Sequence, residues 1–466
     1  MDDDDIATYI GWKGYTIYKK NISVQEQQML RKELNVKPFV PKSSLMKPQP
    51  FPVYRESKNK IYVPIFYGME VYGEPDEIRI DDGKKINVSF KGELRPKQKP
   101  VVKKFMKHIK KKNSGLLALH TGFGKTCLAL NIISKIKLKT IIIVHKEFLL
   151  RQWVERIEQF LPDAKVGKIQ AKTIDTEGKD IVICMLQSLS MKEYPKDMFR
   201  EYGFSIYDEV HHLGAEVFSK AFYKVVTKYS LGLSATINRK DGLTKVIKWF
   251  LGDVVCKLER KGEDNVLVKV INYETTDEDF NKIETDWRGQ IKYTTMVKKL
   301  CEFNNRSEFI LKVLSDLLKG NPNQQIMILA HQKKLLQYLH DAIRHRTIAT
   351  VGYYVGGMKE KDLKISEGKK VIIATYAMAE EGLDIKSLTT LIMATPKVDV
   401  RQSVGRILRQ KHNEAVVVDI VDSHSLFQRH FTKRKTFYRK SKFKVIQTNM
   451  NGYQNGDWET IYDPIN

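Results

Sequence analysis

The sequence predicts an α/β protein: two doubly wound parallel-sheet units in tandem, preceded by a small N-terminal accessory domain. Three observations lead there. From about Gly92 onward, short apolar runs rich in Ile, Val and Leu alternate with stretches whose apolar residues recur at helical spacing. Unbroken apolar strands separated by helices imply a parallel sheet covered on both faces. The rhythm stops near Val255 and resumes with "QIMILA", Gln325 to Ala330, which splits the pattern into two units. Residues 1–90 follow neither rhythm; their prolines cluster in "KPFVPKSSLMKPQPFPVY", and strand-like pieces such as "KIYVPIFYG" predict a separate small domain.

The elements of the first unit can be taken in order. "GLLALH" is a buried strand, and "KTCLALNIISKI" is the helix that follows its loop. Then come "TIIIVH", a helix through "EFLLRQWVERIEQF", the strands "DIVICM" and "FSIYDE", a helix near "AEVFSKAFYKVV", and "LGLSAT". In the second unit the strands are "QIMILA", "TVGYYV", "KVIIAT", "TTLIMAT" and "AVVVDIV". The expected boundaries are 1–90 for the accessory domain, 91–258 and 306–425 for the two units, 259–305 for a polar connector, and 426–466 for a basic tail. In that tail "RHFTKRKTFYRKSKFK", Arg429 to Lys444, interleaves cations with aromatic rings.

A chain of 466 residues has room for two or three domains. Its formal charge of +25 predicts a polyanionic partner, nucleic acid before membrane. The four cysteines lie far apart with no C-x-x-C pair, which argues against a disulfide framework and a zinc site and fits a reducing compartment. No apolar run approaches the roughly 20 residues of a membrane span, so the expectation is a soluble, intracellular protein.

The stretch "LLALHTGFGKT", Leu116 to Thr126, nearly satisfies the phosphate-loop rule G-x-x-x-x-G-K-[ST] but carries Leu119 where the first glycine belongs. Its setting between a buried strand and a helix aims loop N–H groups and the helix N-terminus at an incoming phosphate. Gly122 and Gly124 permit the tight turn, Lys125 can reach the outer phosphates, and Thr126 can hold Mg²⁺. Downstream, "FSIYDEVHH" ends a strand in Asp208 and Glu209, a pair able to hold a metal and to activate a water. "LGLSATINRKDG" places Ser234 and Thr236 at another strand end, where their hydroxyls could bond to that pair. "RQSVGRILRQ" sets Gln402, Arg406 and Arg409 at helical spacing, with both arginines on one face and suited to phosphate oxygens. His211 and His212 have no third ligand at a spacing that would make a metal site.

These motifs, in this order, resemble the superfamily 2 helicases. "GELRPKQ" resembles the segment before motif I, "HTGFGKT" motif I, "VHKEFLLRQW" motif Ia, "MLQSL" motif Ic, "DEVH" motif II and "SAT" motif III. "QIMILAHQKKLL", "ATYAMAEEGLDI" and "QSVGRILR" resemble motifs IV, V and VI. Motif I of this superfamily does not require the early glycine. Within it, "LGLSATINRKDGLTKVIKWFLGDVV" is most similar to the XPB-like and UvsW-like DNA helicases, among them those of large DNA viruses.

The resemblance implies two RecA-like units that bind ATP and Mg²⁺. Arg95, Gln98, Thr121, Gly122, Phe123, Gly124, Lys125 and Thr126 would bind nucleotide, with Gln98 at the adenine. Gly382, Asp384 and Gln402 would sense the γ-phosphate or support an arginine finger, which Arg406 or Arg409 would supply. Lys146, Gln152, Gln187, Ser188 and Thr375 would contact the nucleic-acid backbone, while His211, Ser234 and Thr236 would couple that contact to hydrolysis. DNA is favoured over RNA as the track, with a role in transcription or repair. An RNA helicase and a non-hydrolysing ATP-gated clamp are the alternatives. The basic helix "KQKPVVKKFMKHIKKK" reads as a solvated face, and the aromatic residues of the tail as stackers on bases. Trp153 and Trp249 read as core.

Overall fold

The computed structural model describes residues 7–39, 48–212, 216–237, 239, 241–259, 265–382, 385–408 and 414–464. The chain forms two compact units, Met1–Glu259 and Arg260–Asn466. Each holds an eight-stranded, mostly parallel sheet in the RecA-like manner.

In the first unit the strands run, across the sheet, Thr173–Asp175, Val166–Gln170, Ile181–Met185, Thr140–Val144, Phe204–Tyr207, Tyr229–Ser234, Ser114–Leu119 and Val254–Leu258. Only the outermost pair, at Val166–Gln170 and Thr173–Asp175, is antiparallel. Side chains alternate across a pleated strand, so each strand feeds two cores. Leu117, Leu119, Ile142 and Val144 pack under the helices Lys99–Lys112, Lys125–Ile136 and Glu147–Phe160. Leu116, Ala118, Ile141 and Ile143 point the other way, into a core shared with Ile10, Tyr15, Ile17, Ile61 and Val63 of the N-terminal region.

That N-terminal region is a five-stranded sheet in the order Arg55–Glu56, Lys60–Val63, Gly14–Tyr18, Thr8–Gly11, Glu77–Ile78. Its helix Ile65–Tyr72 lies against Thr244–Leu251, where Tyr67 meets Trp249 edge-on at 5.2 Å. The Tyr223 hydroxyl donates to the Val53 carbonyl at 2.7 Å. The described residues of 7–80 therefore cover one face of the first sheet, while Ile86 and Val88 join the core on the other face. Burying each large apolar side chain there contributes about 1.5–3 kcal/mol.

The second sheet runs Val351–Tyr354, Val371–Thr375, Gln325–Ala330, Leu388–Met393, Ala415–Asp422, Val266–Tyr273, Lys444–Asn449, Glu459–Tyr462, with only the last pair antiparallel. Two parts of the sequence reading change here. Residues 259–305 were expected to be a polar connector, yet "VLVKVINY", Val266–Tyr273, is an interior strand of this sheet. Its lysine and its charged flanks disguise a run whose Val266, Val268 and Val270 are all buried.

The expected tail is likewise part of the fold. The helix Ser425–Lys440 buries Phe427, Phe431, Arg434 and Tyr438, and the strand Lys444–Asn449 joins the sheet. Phe431, Tyr438 and Phe443 are core residues, so they are not free to stack on bases. Their spacing is the ordinary apolar stripe of a helix facing its sheet. Trp153 and Trp249 are buried, as expected. On the helix Lys99–Lys112 the residues Val101, Val102, Phe105 and Ile109 face inward and the lysines face solvent.

Candidate active site

The loop after the strand Ser114–Leu119 turns on two glycines in the left-handed region, Gly122 at φ 84° and Gly124 at φ 89°. Side chains are disfavoured at such angles. A Cβ on Gly124 would also meet the Gln98 Nε2 atom at 2.5 Å, so this position needs glycine for two reasons. Leu119, in place of the early glycine, is fully buried in the strand. Phe123 is buried among the residues of the helical core and pins the loop from below.

Gln98 is 2% exposed and braces this loop. Its amide N–H group donates to the carbonyls of Phe123 at 2.9 Å and Gly124 at 3.3 Å, while its oxygen accepts the Arg95 N–H at 2.8 Å. Arg95 in turn donates to the Gly122 carbonyl at 3.3 Å. Both residues hold the loop's carbonyl side.

The helix Lys125–Ile136 begins at Lys125, whose ammonium donates to Glu209 Oε1 at 2.8 Å. Motifs 84 residues apart in sequence are thus joined by one ion pair. Asp208 closes the strand Phe204–Tyr207, buried to 6% exposure. One of its oxygens accepts the Trp153 indole N–H at 2.9 Å and the other accepts the Glu209 N–H at 2.9 Å. Burial raises the Asp208 carboxyl above the ordinary carboxylate range; the Glu209 charge raises it further, and Lys125 and the Trp153 N–H act against both. A hard-oxygen group whose negative charge is opposed by its own surroundings fits a divalent cation, which would relieve that opposition. Glu209 sits at φ 49°, a left-handed angle that a non-glycine residue adopts at a cost of about 1–3 kcal/mol. Such an angle turns its side chain back to Lys125.

Ser234 was expected to bond to the acidic pair; the structure instead joins its hydroxyl to His211 Nδ1 at 2.8 Å. The same Nδ1 lies 3.3 Å from Glu209 Oε2, so Glu209 and Ser234 converge on one nitrogen of His211. Thr236 joins through its backbone N–H, which donates to the Ser234 hydroxyl at 3.2 Å. Two participants escaped the sequence reading. Trp153 was read as core and is also the donor that orients Asp208. Arg239, ion-paired with Asp241 at 2.9 Å, donates to the His211 carbonyl.

Trp153→Phe keeps an aromatic ring, gives up part of the buried indole volume and removes one donor from a buried carboxylate. We expect a loss of about 1–3 kcal/mol, read as a lower unfolding temperature for this unit.

The expected strand contacts divide. Lys146 stands at the position preceding the helix Glu147–Phe160, with no side-chain bond to the helix end, and partial burial lowers its pKa. Gln152 is half-exposed on that helix, and exposed Gln187 donates to the His145 carbonyl at 2.9 Å, bringing motifs Ia and Ic together. Thr375 ends its strand half-exposed. Ser188 is the exception: it is buried, and its hydroxyl accepts the Ala171 N–H at 2.9 Å, which makes it a brace within the unit.

In the second unit Gln402 and Arg406 lie on the helix Arg401–Ile407. Arg406 is 7% exposed and donates to the Glu380 carbonyl, joining motif VI to the motif V helix Tyr376–Gly382. The Glu380 carboxylate accepts from Ser403 at 3.0 Å and pairs with Lys397 at 2.5 Å. Asp384 and Arg409 lie outside the described residues.

Upstream of this helix, four successive carbonyls are each held by a different side chain. Arg306 donates to Ala394 at 2.7 Å, Tyr376 to Thr395 at 2.6 Å, Tyr293 to Pro396 at 3.2 Å and Arg434 to Lys397 at 2.6 Å. The two arginines also form forked, fully buried pairs, Arg306 with Asp422 and Arg434 with Asp419. Neither was singled out from the sequence: Arg434 sits in a basic run, Arg306 among polar residues, and neither setting carries a mark of burial.

Residues 91–239 match the family described as type III restriction enzyme, res subunit, and residues 310–411 match the helicase conserved C-terminal domain. A protein of Acanthamoeba polyphaga mimivirus, provisionally named an ATP-dependent RNA helicase, is 35% identical over 456 residues, covering 95% of this chain and 87% of the relative. The chain belongs to the superfamily 2 helicases. A provisionally named helicase of Invertebrate iridescent virus 6 is 28% identical across 76% of this helicase and 83% of its own length. One from African swine fever virus, provisionally named an ATP-dependent RNA helicase, is 27% identical across 75% and 74%. The crystal structure of T4 UvsW overlaps 95% of the chain at 16% identity with a TM-score of 0.37, too low to carry an argument.

The helicase is accordingly a nucleic-acid-dependent ATPase. Among the described residues, no helix is long and apolar enough to cross a membrane.

Proposed function

We propose that this helicase hydrolyses ATP with Mg²⁺ to move along or unwind DNA. The observation that supports the assignment of roles is the ion pair of Lys125 with Glu209 beside the buried Asp208. On this reading Lys125 exchanges Glu209 for the outer phosphates when nucleotide arrives. The released Glu209 carboxylate then orients and deprotonates the attacking water. Thr126 and Asp208 would hold Mg²⁺, which supplies charge neutralisation at the β- and γ-phosphate oxygens.

Gly382, Asp384 and Gln402 belong to the γ-phosphate sensor, and an arginine of motif VI, Arg406 or Arg409, stabilises the transferring phosphoryl group, worth roughly 10³–10⁵ in rate. Arg406 would have to leave the Glu380 carbonyl to do so. Glu209 Oε2 and the Ser234 hydroxyl both approach Nδ1 of His211, and through that ring the state of the phosphate site would reach the strand contacts. Those contacts are assigned to Lys146, Gln152, Gln187 and Thr375. They would address the backbone, since a motor cannot depend on base identity.

The placement of the chain with XPB-like and UvsW-like sequences favours DNA, and transcription or repair as the setting. The names given to two viral relatives favour RNA as the second reading. ATPase titrations with single- and double-stranded DNA and RNA, each at several salt concentrations, decide between them. The expected result is stronger stimulation by DNA, with apparent affinity falling as salt rises, because backbone contacts release counterions. Stimulation by RNA alone would reverse the assignment.

A further inference from the structure

The largest exposed apolar side chain among the described residues is Trp287, at 83% exposure. A tryptophan so placed is uncommon, because its indole offers a large area that water disfavours. It stands at the tip of a small hairpin in the second unit, closed by the antiparallel bridge between Thr285 and Ile291. The turn is a built one. The Asp286 carboxylate accepts the N–H groups of Arg288 at 2.8 Å and Gln290 at 2.9 Å. The Asp286 carbonyl accepts the Gly289 N–H at 2.9 Å, and the Asp286 N–H donates to the Gln290 carbonyl at 2.8 Å. Gly289 supplies the left-handed angle, φ 73°, that the turn requires.

The base of the hairpin is anchored as firmly. Ile291 packs on the core of the second unit, beside Met296. Lys299 ties the approach strand through the carbonyls of Asp279 at 2.8 Å and Lys282 at 2.7 Å, and through Glu284 at 3.2 Å. A rigid stem thus presents one indole to solvent, with the Arg288 guanidinium 4.2 Å from its ring.

We propose that Trp287 is a base-stacking contact: its ring takes the face of an unpaired base of the nucleic acid on which this helicase acts, and Arg288 meets the adjoining phosphate. Every base has a π-face, so such stacking is tolerant of sequence, as a moving protein requires. The pairing of one flat ring with one planar cation matches the alternation of base and phosphate along a single strand. A duplex, whose bases are already stacked on one another, offers the ring nothing. The inference rests on the helicase assignment and is independent of the choice between DNA and RNA.

The test uses the full chain and its intrinsic fluorescence. Of the five tryptophans Trp153 and Trp249 are buried, Trp12 and Trp458 are half-buried, and Trp287 is the most exposed to a quencher, so the Trp287→Phe variant isolates its share of the emission. Single-stranded oligonucleotides of DNA and RNA are titrated while tryptophan emission and ATPase stimulation are read together. The expected result is quenching that single strands cause, that blunt duplex does not, and that Trp287→Phe removes. Trp287→Ala should weaken single-strand binding by about 5-fold or more, Trp287→Phe should restore most of it, and both should unfold at the wild-type temperature.

An oligonucleotide that stimulates the ATPase yet leaves emission unchanged, with Trp287→Ala binding as tightly as wild type, would overturn the proposal. So would quenching by duplex alone. Absence of any stimulation by any nucleic acid would instead overturn the functional assignment beneath it.

Discussion

Glu209→Gln is expected to lower nucleic-acid-stimulated ATP turnover by about 10²–10⁴-fold while nucleotide binding persists. The amide is nearly isosteric with the carboxylate and can still accept from Lys125, so the 2.8 Å contact need not be lost. What disappears is the capacity to take a proton from water. Steady-state ATPase assays give the first number, and equilibrium binding of a fluorescent ATP analogue gives the second. Lys125→Ala should be as inactive for a different reason: it removes the cation that meets the phosphates, and nucleotide binding should weaken with turnover. A Glu209→Gln protein with near-normal turnover would show that another group activates the water.

Arg434→Met is expected to destabilise the second unit by about 3–5 kcal/mol, because it strands the Asp419 carboxylate where water cannot reach it. Both partners are 1% exposed, and the fork is doubled, at 2.8 and 2.9 Å. The Tyr438 hydroxyl, which donates to Asp419 at 2.9 Å, would be the carboxylate's remaining side-chain donor of this network. For a unit of this size the shift amounts to about 6–20 °C in the midpoint of thermal unfolding, read by calorimetry. Replacing both Arg434 and Asp419 with apolar residues of similar volume should cost less than the single change, since no charge is then left buried alone. A single variant that melts within a degree or two of wild type would mean that water enters this site.

Part of the motif set was legible because it follows strand ends, where the chain must turn: the glycines at 122 and 124 and the acids at 208 and 209. Arg406 stood out instead by its helical spacing in a basic segment, and it lies on the helix Arg401–Ile407. What eluded reading were residues whose role depends on where burial falls. Val266–Tyr273 looked like linker because its alternating valines sit among charges, and only its neighbours in the sheet reveal it as interior. Phe431 and Tyr438 looked like base-stackers because a helix seen in one dimension does not declare which side meets the sheet. Ser188 occupied a strand-contact position but turned its hydroxyl inward to Ala171. Trp153 was correctly assigned to the interior, yet its indole N–H could not be aimed at Asp208 without the helix Glu147–Phe160 in place.

The stretch Ala394–Lys397 is moored at four consecutive points by residues from four separate parts of the second unit. Such a stretch acts as a fixed post, and the helix Arg401–Ile407 hangs from it a few residues on. Mild denaturant that slackens those moorings should silence the enzyme at the same concentration at which the unit melts. Inactivation and collapse would then be a single event, with no inactive but intact form between them.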